Sequence, residues 1–126
     1  MSPISDRERL IVALDLPTTN AARRLVEKLG DSVSFYKVGL ELFMGGGYFE
    51  FIDELAEAGK KVFVDLKFFD VPATVERAVA SLQGRNVSFA TVHGNDAMMK
   101  AAAIAKGDIK ILAVTVLTSL DRGDLE

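Results

Sequence analysis

The segment VFVDLKFFDVPATV, residues 62–75, begins as an apolar run of β-forming residues and then places Asp65, Lys67 and Asp70 within six positions. Side chains alternate faces along a strand, so Asp65 and Lys67 are expected to share one face with Phe63, while Val62, Val64 and Leu66 take the other. A lone Asp-x-Lys reads most simply as an ion pair at a strand end. Burial makes such a pair a poor stabiliser, because desolvation can exceed the Coulombic gain. Lys37, in the earlier apolar run FYKVG, adds a second cation. Lys37, Asp65, Lys67 and Asp70 then form an alternating set in which each ammonium favours ionised carboxylates and each carboxylate favours protonated amines. Such an array can hold a proton ready for a developing carbanion.

Other residues have simpler readings. His93 could act as a base at a strand end, but it is the sole histidine and has no defined carboxylate partner, which favours a hydrogen-bonded structural role. Gly45, Gly46 and Gly47 are followed by no Lys-Ser/Thr, so they read as a flexible approach to a helix rather than a phosphate cradle. Phe68 and Phe69, beside the charges, read as core or interface aromatics.

The elements that must position these charges repeat one pattern. LIVAL (10–14) is a first strand, ended by Asp15 and Pro17. Thr18, Thr19 and Asn20 offer N-cap oxygens, and Ala22, Leu25, Val26 and Leu29 recur at helical spacing until Gly30. SFYKVGL (34–40) is the second strand, and Phe49, Ile52, Leu55 and Ala56 line the next helix, which ends at Gly59. KVFVDLK (61–67) is the third strand. Pro72 suits a helix first turn, and Val75, Ala78, Val79 and Leu82 supply that helix's stripe. SFATVHG (88–94), a helix capped by Asn95 or Asp96 that runs to about Ala105, and IKILAVTVL (109–117) complete five strands and four helices.

Strands apolar on both faces and separated by helices imply an α/β parallel sheet. A doubly wound sheet would carry a glycine-rich turn after the first strand, whereas that turn reads DLPTTN. An incomplete (β/α)8 TIM barrel fits better, with polar residues at the C-terminal strand ends: Asp15, Lys37, Asp65, Lys67, His93 and the Thr118-Ser119 pair. A whole barrel takes about 250 residues; residues 1–126 read as its N-terminal part. Strands one and five are then left as open edges, which predicts association.

Composition narrows the function classes. A net charge of -3 provides no broad basic surface for nucleic acid. The absence of cysteine excludes disulfides, Cys-ligated zinc and thiol catalysis. The start, MSPISDRERL, has no apolar h-region, and no apolar run approaches the ~18 residues of a membrane span. The expectation is a cytoplasmic protein complete at its N-terminus, with neither membrane nor nucleic acid as partner.

LIVALD, FYKVGLELF, VFVDLKFFDVPATV and AVTVLTS together resemble orotidine 5'-monophosphate decarboxylase. The D-x-K-x-x-D segment alone also fits related sugar-phosphate decarboxylases and aldolases. Those relatives tend to place an acidic magnesium ligand at the end of strand two, where this sequence has Lys37. The resemblance runs over nearly the whole chain and covers roughly the first half of the family's pattern. It implies conversion of orotidylate to uridylate in pyrimidine biosynthesis, without cofactor or metal, by a homodimer. It further implies that Lys67 is the general acid for C6 of the pyrimidine and that Asp65 sits beside the substrate carboxylate. Asp70 would be donated across the dimer interface, and Asp15 and Lys37 would contact the ribose hydroxyls. Thr74 would meet the partner's ligand, and Thr118 or Ser119, Thr118 by preference, would bind the base. The family grips the phosphate with loops after later strands, outside residues 1–126. Remote phosphate binding normally supports positioning at the reacting centre, so the chain alone is expected to bind weakly and turn over slowly or not at all. The competing readings are a non-catalytic barrel fragment or assembly unit, and a metal-dependent sugar-phosphate lyase.

Overall fold

Residues 3–125 are described by a computed structural model. The strands are β1 (Val12–Ala13), β2 (Phe35–Gly39), β3 (Lys61–Phe68), β4 (Val87–His93) and β5 (Lys110–Val114). All neighbouring pairs are parallel, and the order across the sheet is β1-β2-β3-β4-β5. A doubly wound sheet reverses its order at a switch point. Strictly sequential order is the barrel pattern, in which each crossover moves one strand onward in the same sense.

Four helices make these crossovers: α2 (Thr19–Leu29), α4 (Tyr48–Glu57), α5 (Pro72–Ala80) and α6 (Asp96–Ala105). Their ends follow from local chemistry. The Thr18 hydroxyl accepts from the Ala21 amide to start α2, and Gly30 at φ 53° ends it. Asn95 accepts from the Met98 amide to start α6, and Pro72 opens α5. The core lies between these helices and the outer face of the sheet. Tyr36, Val38, Val62 and Val64 are fully buried there against Phe51, Ile52 and Leu55, while Val75, Val79 and Val92 pack with Met98, Ala101 and Ala102. The apolar stripe of α4 is Tyr48, Phe51, Ile52 and Leu55, with Phe49 and Ala56 only half-buried at its border. On the other face of the sheet, Phe89 stacks on Phe35 at 5.8 Å and meets Phe63 edge-on at 5.8 Å, contacts worth about 0.5–1.5 kcal/mol each beyond area burial.

Three short helices accompany them: α1 (Asp6–Arg9), α3 (Leu40–Met44) and α7 (Arg122–Leu125). The expected second strand ran to Leu40, but Gly39 is the N-cap of α3. The Val38 carbonyl accepts from the Tyr48 hydroxyl at 2.8 Å, which ties α4 to the strand end. The ladder of β1 spans two residues rather than five: Leu10 is the C-cap of α1 and is exposed with Ile11, while Leu14 N–H still donates to the Lys37 carbonyl at 2.9 Å. β5 stops at Val114, and the expected continuation to Leu117 is exposed chain. At the N-terminal pole, α1 is held by Lys61 to Glu8 at 3.0 Å and by the Ser34 hydroxyl donating to the Arg7 carbonyl. Buried Lys60 donates to the carbonyls of Gly30 and Val33.

Candidate active site

Parallel strands deliver their C-terminal ends to one pole, and register decides which side chains meet there. Lys37 pairs with Phe63 and Gly39 with Asp65, so the Lys37 and Asp65 side chains emerge from neighbouring strands one pleat apart. Lys37 Nζ lies 3.6 Å from Asp65 Oδ2. Lys67 Nζ lies 3.1 Å from each Asp65 carboxylate oxygen. One carboxylate therefore serves two ammonium groups.

The route by which Lys67 arrives differs from simple alternation. Lys67 has φ 49°, and the β3–β4 register shifts between Val64 and Phe68, which marks a bulge. Thr91 of β4 occupies the gap. Its hydroxyl donates to Asp65 Oδ1 at 2.7 Å and accepts the Lys67 backbone N–H at 3.0 Å. Thr91 is buried and was not singled out from the sequence, where a threonine in SFATVHG reads only as a strand former. Its alternation with Phe89, on the face shared with Asp65, was the available signal.

Burial of Asp65 works against its ionisation most strongly. The Thr91 and Lys67 hydrogen bonds, with the charges of Lys67 and Lys37, outweigh it and hold the carboxyl below its ordinary value. Asp65 is thus an anion fixed in a largely desolvated place. Behind it, burial and then the Asp65 charge push the Tyr48 phenol well above its usual value.

Lys37, Asp65 and Lys67 line a cleft of about 440 Å³ with Asp15, Gly39 and Glu41. Asp15 is exposed at the end of β1, where Gly39 leaves room: a Cβ there would lie 3.3 Å from the Asp65 carbonyl and 3.9 Å from Asp15 Oδ1. Hollows of 450 and 550 Å³ lie beside the starts of β4 and β5, remote from the array.

The remaining expected residues are placed as follows. Asp70 is exposed in the β3–α5 loop; its Oδ1 accepts the Val71 amide at 2.7 Å, and it makes no ion pair with Lys37 or Lys67. The alternating set of four is therefore a set of three within this chain. Thr74 sits in the first turn of α5, its hydroxyl accepting from Arg77 at 3.3 Å. Thr118 and Ser119 are exposed beyond β5. His93 is also exposed, and the structural hydrogen bond expected of it is absent among the described residues; its ring packs at 4.6 Å against Phe69. Phe68 packs against the core as expected, while Phe69 is 65% exposed. Among the described residues no three His, Asp or Glu side chains converge to hold a metal ion. No helix there is long and apolar enough to cross a membrane.

The family model described as "Orotidine 5'-phosphate decarboxylase / HUMPS family" matches residues 8–126. A relative named orotidine 5'-phosphate decarboxylase, from Methylococcus capsulatus, is 68% identical over 123 residues, covering 98% of this chain and 51% of that protein. One from Stenotrophomonas maltophilia is 54% identical over 125 residues, covering 98% and 52%. The crystal structure of orotidine 5'-phosphate decarboxylase from Lactobacillus acidophilus superposes with a TM-score of 0.81 at 40% identity, covering 92% of this chain and 56% of that one. A Methanocaldococcus jannaschii orotidine 5'-monophosphate decarboxylase, described as complexed with inhibitor BMP, gives 0.72 at 32% identity, covering 84% and 51%. The chain spans about half the length of the curated relatives it matches. By sequence over nearly its whole length and by a sequential parallel barrel sheet, the chain belongs to the orotidine 5'-phosphate decarboxylase / HUMPS family.

Proposed function

We propose that this chain carries the proton-donating half of an orotidylate decarboxylase site, active once the remaining barrel strands and their phosphate-binding loops are supplied. The observation that supports it is the Lys37–Asp65–Lys67 array at the barrel mouth. In this reading the substrate carboxylate lies beside Asp65. Its bond to C6 breaks, carbon dioxide leaves, and the electron pair remains at C6. The Lys67 ammonium gives C6 a proton, yielding uridylate and a neutral amine that solvent reprotonates. The Asp65 charge keeps the two ammonium groups in place. Lys37 and Asp15 contact the ribose hydroxyls, and Thr118 or Ser119 the base.

Asp70 serves the neighbouring site of a homodimer, with Thr74 beside it. Its freedom from the local lysines supports this reading, as does the apolar surface around the mouth: Leu40, Met44, Phe69 and Val71 are each more than 60% exposed. A surface of that kind favours a protein partner. A small nucleotide is the ligand, neither nucleic acid nor membrane is a partner, and the cytoplasm is the place of action.

The test is to combine residues 1–126 with the complementary half of a relative and assay orotidylate for release of carbon dioxide and uridylate. Turnover supports the proposal; a folded assembly inert to orotidylate counts against it. Calorimetry of the same assembly with uridylate separates a site from a mere assembly unit, which gives no heat.

A further inference from the structure

Thr91 is 5% exposed and takes no part in the cleft wall. A hydroxyl has one proton to give and lone pairs to receive, and this one uses both, giving to Asp65 and receiving from the Lys67 amide. Lys67 and Asn86 are the non-glycine residues at positive φ among the described residues. That conformation costs roughly 1–2 kcal/mol for a side chain such as lysine, so it persists only where surrounding bonds impose it. In a regular ladder the Lys67 N–H would meet a strand carbonyl. At the bulge, the Thr91 hydroxyl takes that place.

We propose that Thr91 is a positioning residue for the Lys67–Asp65 pair: one buried hydroxyl fixes the carboxylate and turns the Lys67 backbone, so that the ammonium folds back to Asp65 instead of following the strand. The positioning is a property of this chain, and only its catalytic meaning rests on the decarboxylase reading. The groups around Asp65 are Lys67 on β3, Lys37 on β2, Tyr48 on α4, and Asp15 and Glu41 across the cleft. Thr91 adds no charge to them and acts through hydrogen bonds alone.

The test compares Thr91→Val and Thr91→Ser. Carbon-13 NMR of the Asp65 carboxyl and hydrogen exchange of the Lys67 amide need no substrate. Thr91→Val is expected to raise the Asp65 titration midpoint and to speed Lys67 exchange at least roughly tenfold, losses typical of a charged hydrogen bond; Thr91→Ser restores both. In the complemented assembly, Thr91→Val lowers kcat roughly tenfold to a hundredfold, with KM nearly unchanged. A folded Thr91→Val protein with both NMR readouts at wild-type values overturns the inference, as does Thr91→Ser behaving like Thr91→Val, since packing of the methyl would then be the cause. Should the valine variant not fold, Thr91→Cys, a weaker donor of similar size, takes its place with the same expected direction. A wild-type assembly inert to orotidylate while Thr91→Val moves the Asp65 midpoint refutes the decarboxylase reading and leaves the positioning supported.

Discussion

Replacing Asp65 by Asn removes the one negative charge shared by two ammonium groups while nearly preserving shape. The gross attraction of a unit pair at the Lys67 distance of 3.1 Å is about 5 kcal/mol at an effective dielectric near 20. The net loss is smaller, because the lysine side chains stay 31% and 45% exposed and exposed partners are screened. A cost of about 1–3 kcal/mol follows, or roughly 3–15 °C in Tm for a domain of this size. The pH dependence identifies the cause. Asp65 is held below its ordinary value of 3.8 when folded, so its contribution is fully present above that value and is lost as pH falls through the lower folded one. Thermal melts of wild type and Asp65→Asn should differ from about pH 5 to 7 and converge in acid, as pH falls below the ordinary value of 3.8 and through the lower folded one. A gap of equal size at every pH would refute the electrostatic reasoning and assign the loss to packing.

Tyr36 is fully buried, and its hydroxyl has no hydrogen-bond partner among the described residues, so Tyr36→Phe should leave stability unchanged or raise it by up to about 1 kcal/mol in denaturant titration; a loss above that size would mean the hydroxyl is bonded. Gly45→Ala should destabilise by about 1–3 kcal/mol, because its Cβ would sit 2.2 Å from the Pro17 carbonyl oxygen although Gly45 has an ordinary φ of -78°; an unaltered unfolding midpoint would show that the β1–α2 turn yields. If Asp70 serves the neighbouring site as proposed, Asp70→Ala and Lys67→Ala subunits, each inactive alone in the complemented assembly, should regain activity on mixing, since one site of a mixed dimer would hold both residues. Activity that mixing does not restore would place Asp70 in its own subunit's site.

The sheet was legible because each strand is short, apolar and bounded by turn residues, and the barrel order followed from the missing phosphate turn. The placement of Lys37 and Asp65 at neighbouring strand ends was legible from period-two alternation, which also put Lys67 on their face, although Lys67 reaches Asp65 through a bulge instead. The bulge was not, since left-handed backbone is signalled by glycine and the residue there is Lys67. Nor was Thr91, whose role comes from register with β3, a non-local fact. Leu40 was read into a strand because it continues an apolar run, yet Gly39 and the Tyr48 hydroxyl end the ladder before it. His93 was expected to be bonded, but the loop that reaches its ring brings Phe69, which offers no acceptor.

Single-turnover decarboxylation by the assembly of residues 1–126 with a complementary half, measured with Lys67 intact and with Lys67→Ala, addresses the ammonium itself. The expected result is a fall in rate of roughly a hundredfold to ten-thousandfold with uridylate still bound. Undiminished release of carbon dioxide and uridylate by the Lys67→Ala assembly would contradict the assignment of Lys67 as the proton donor.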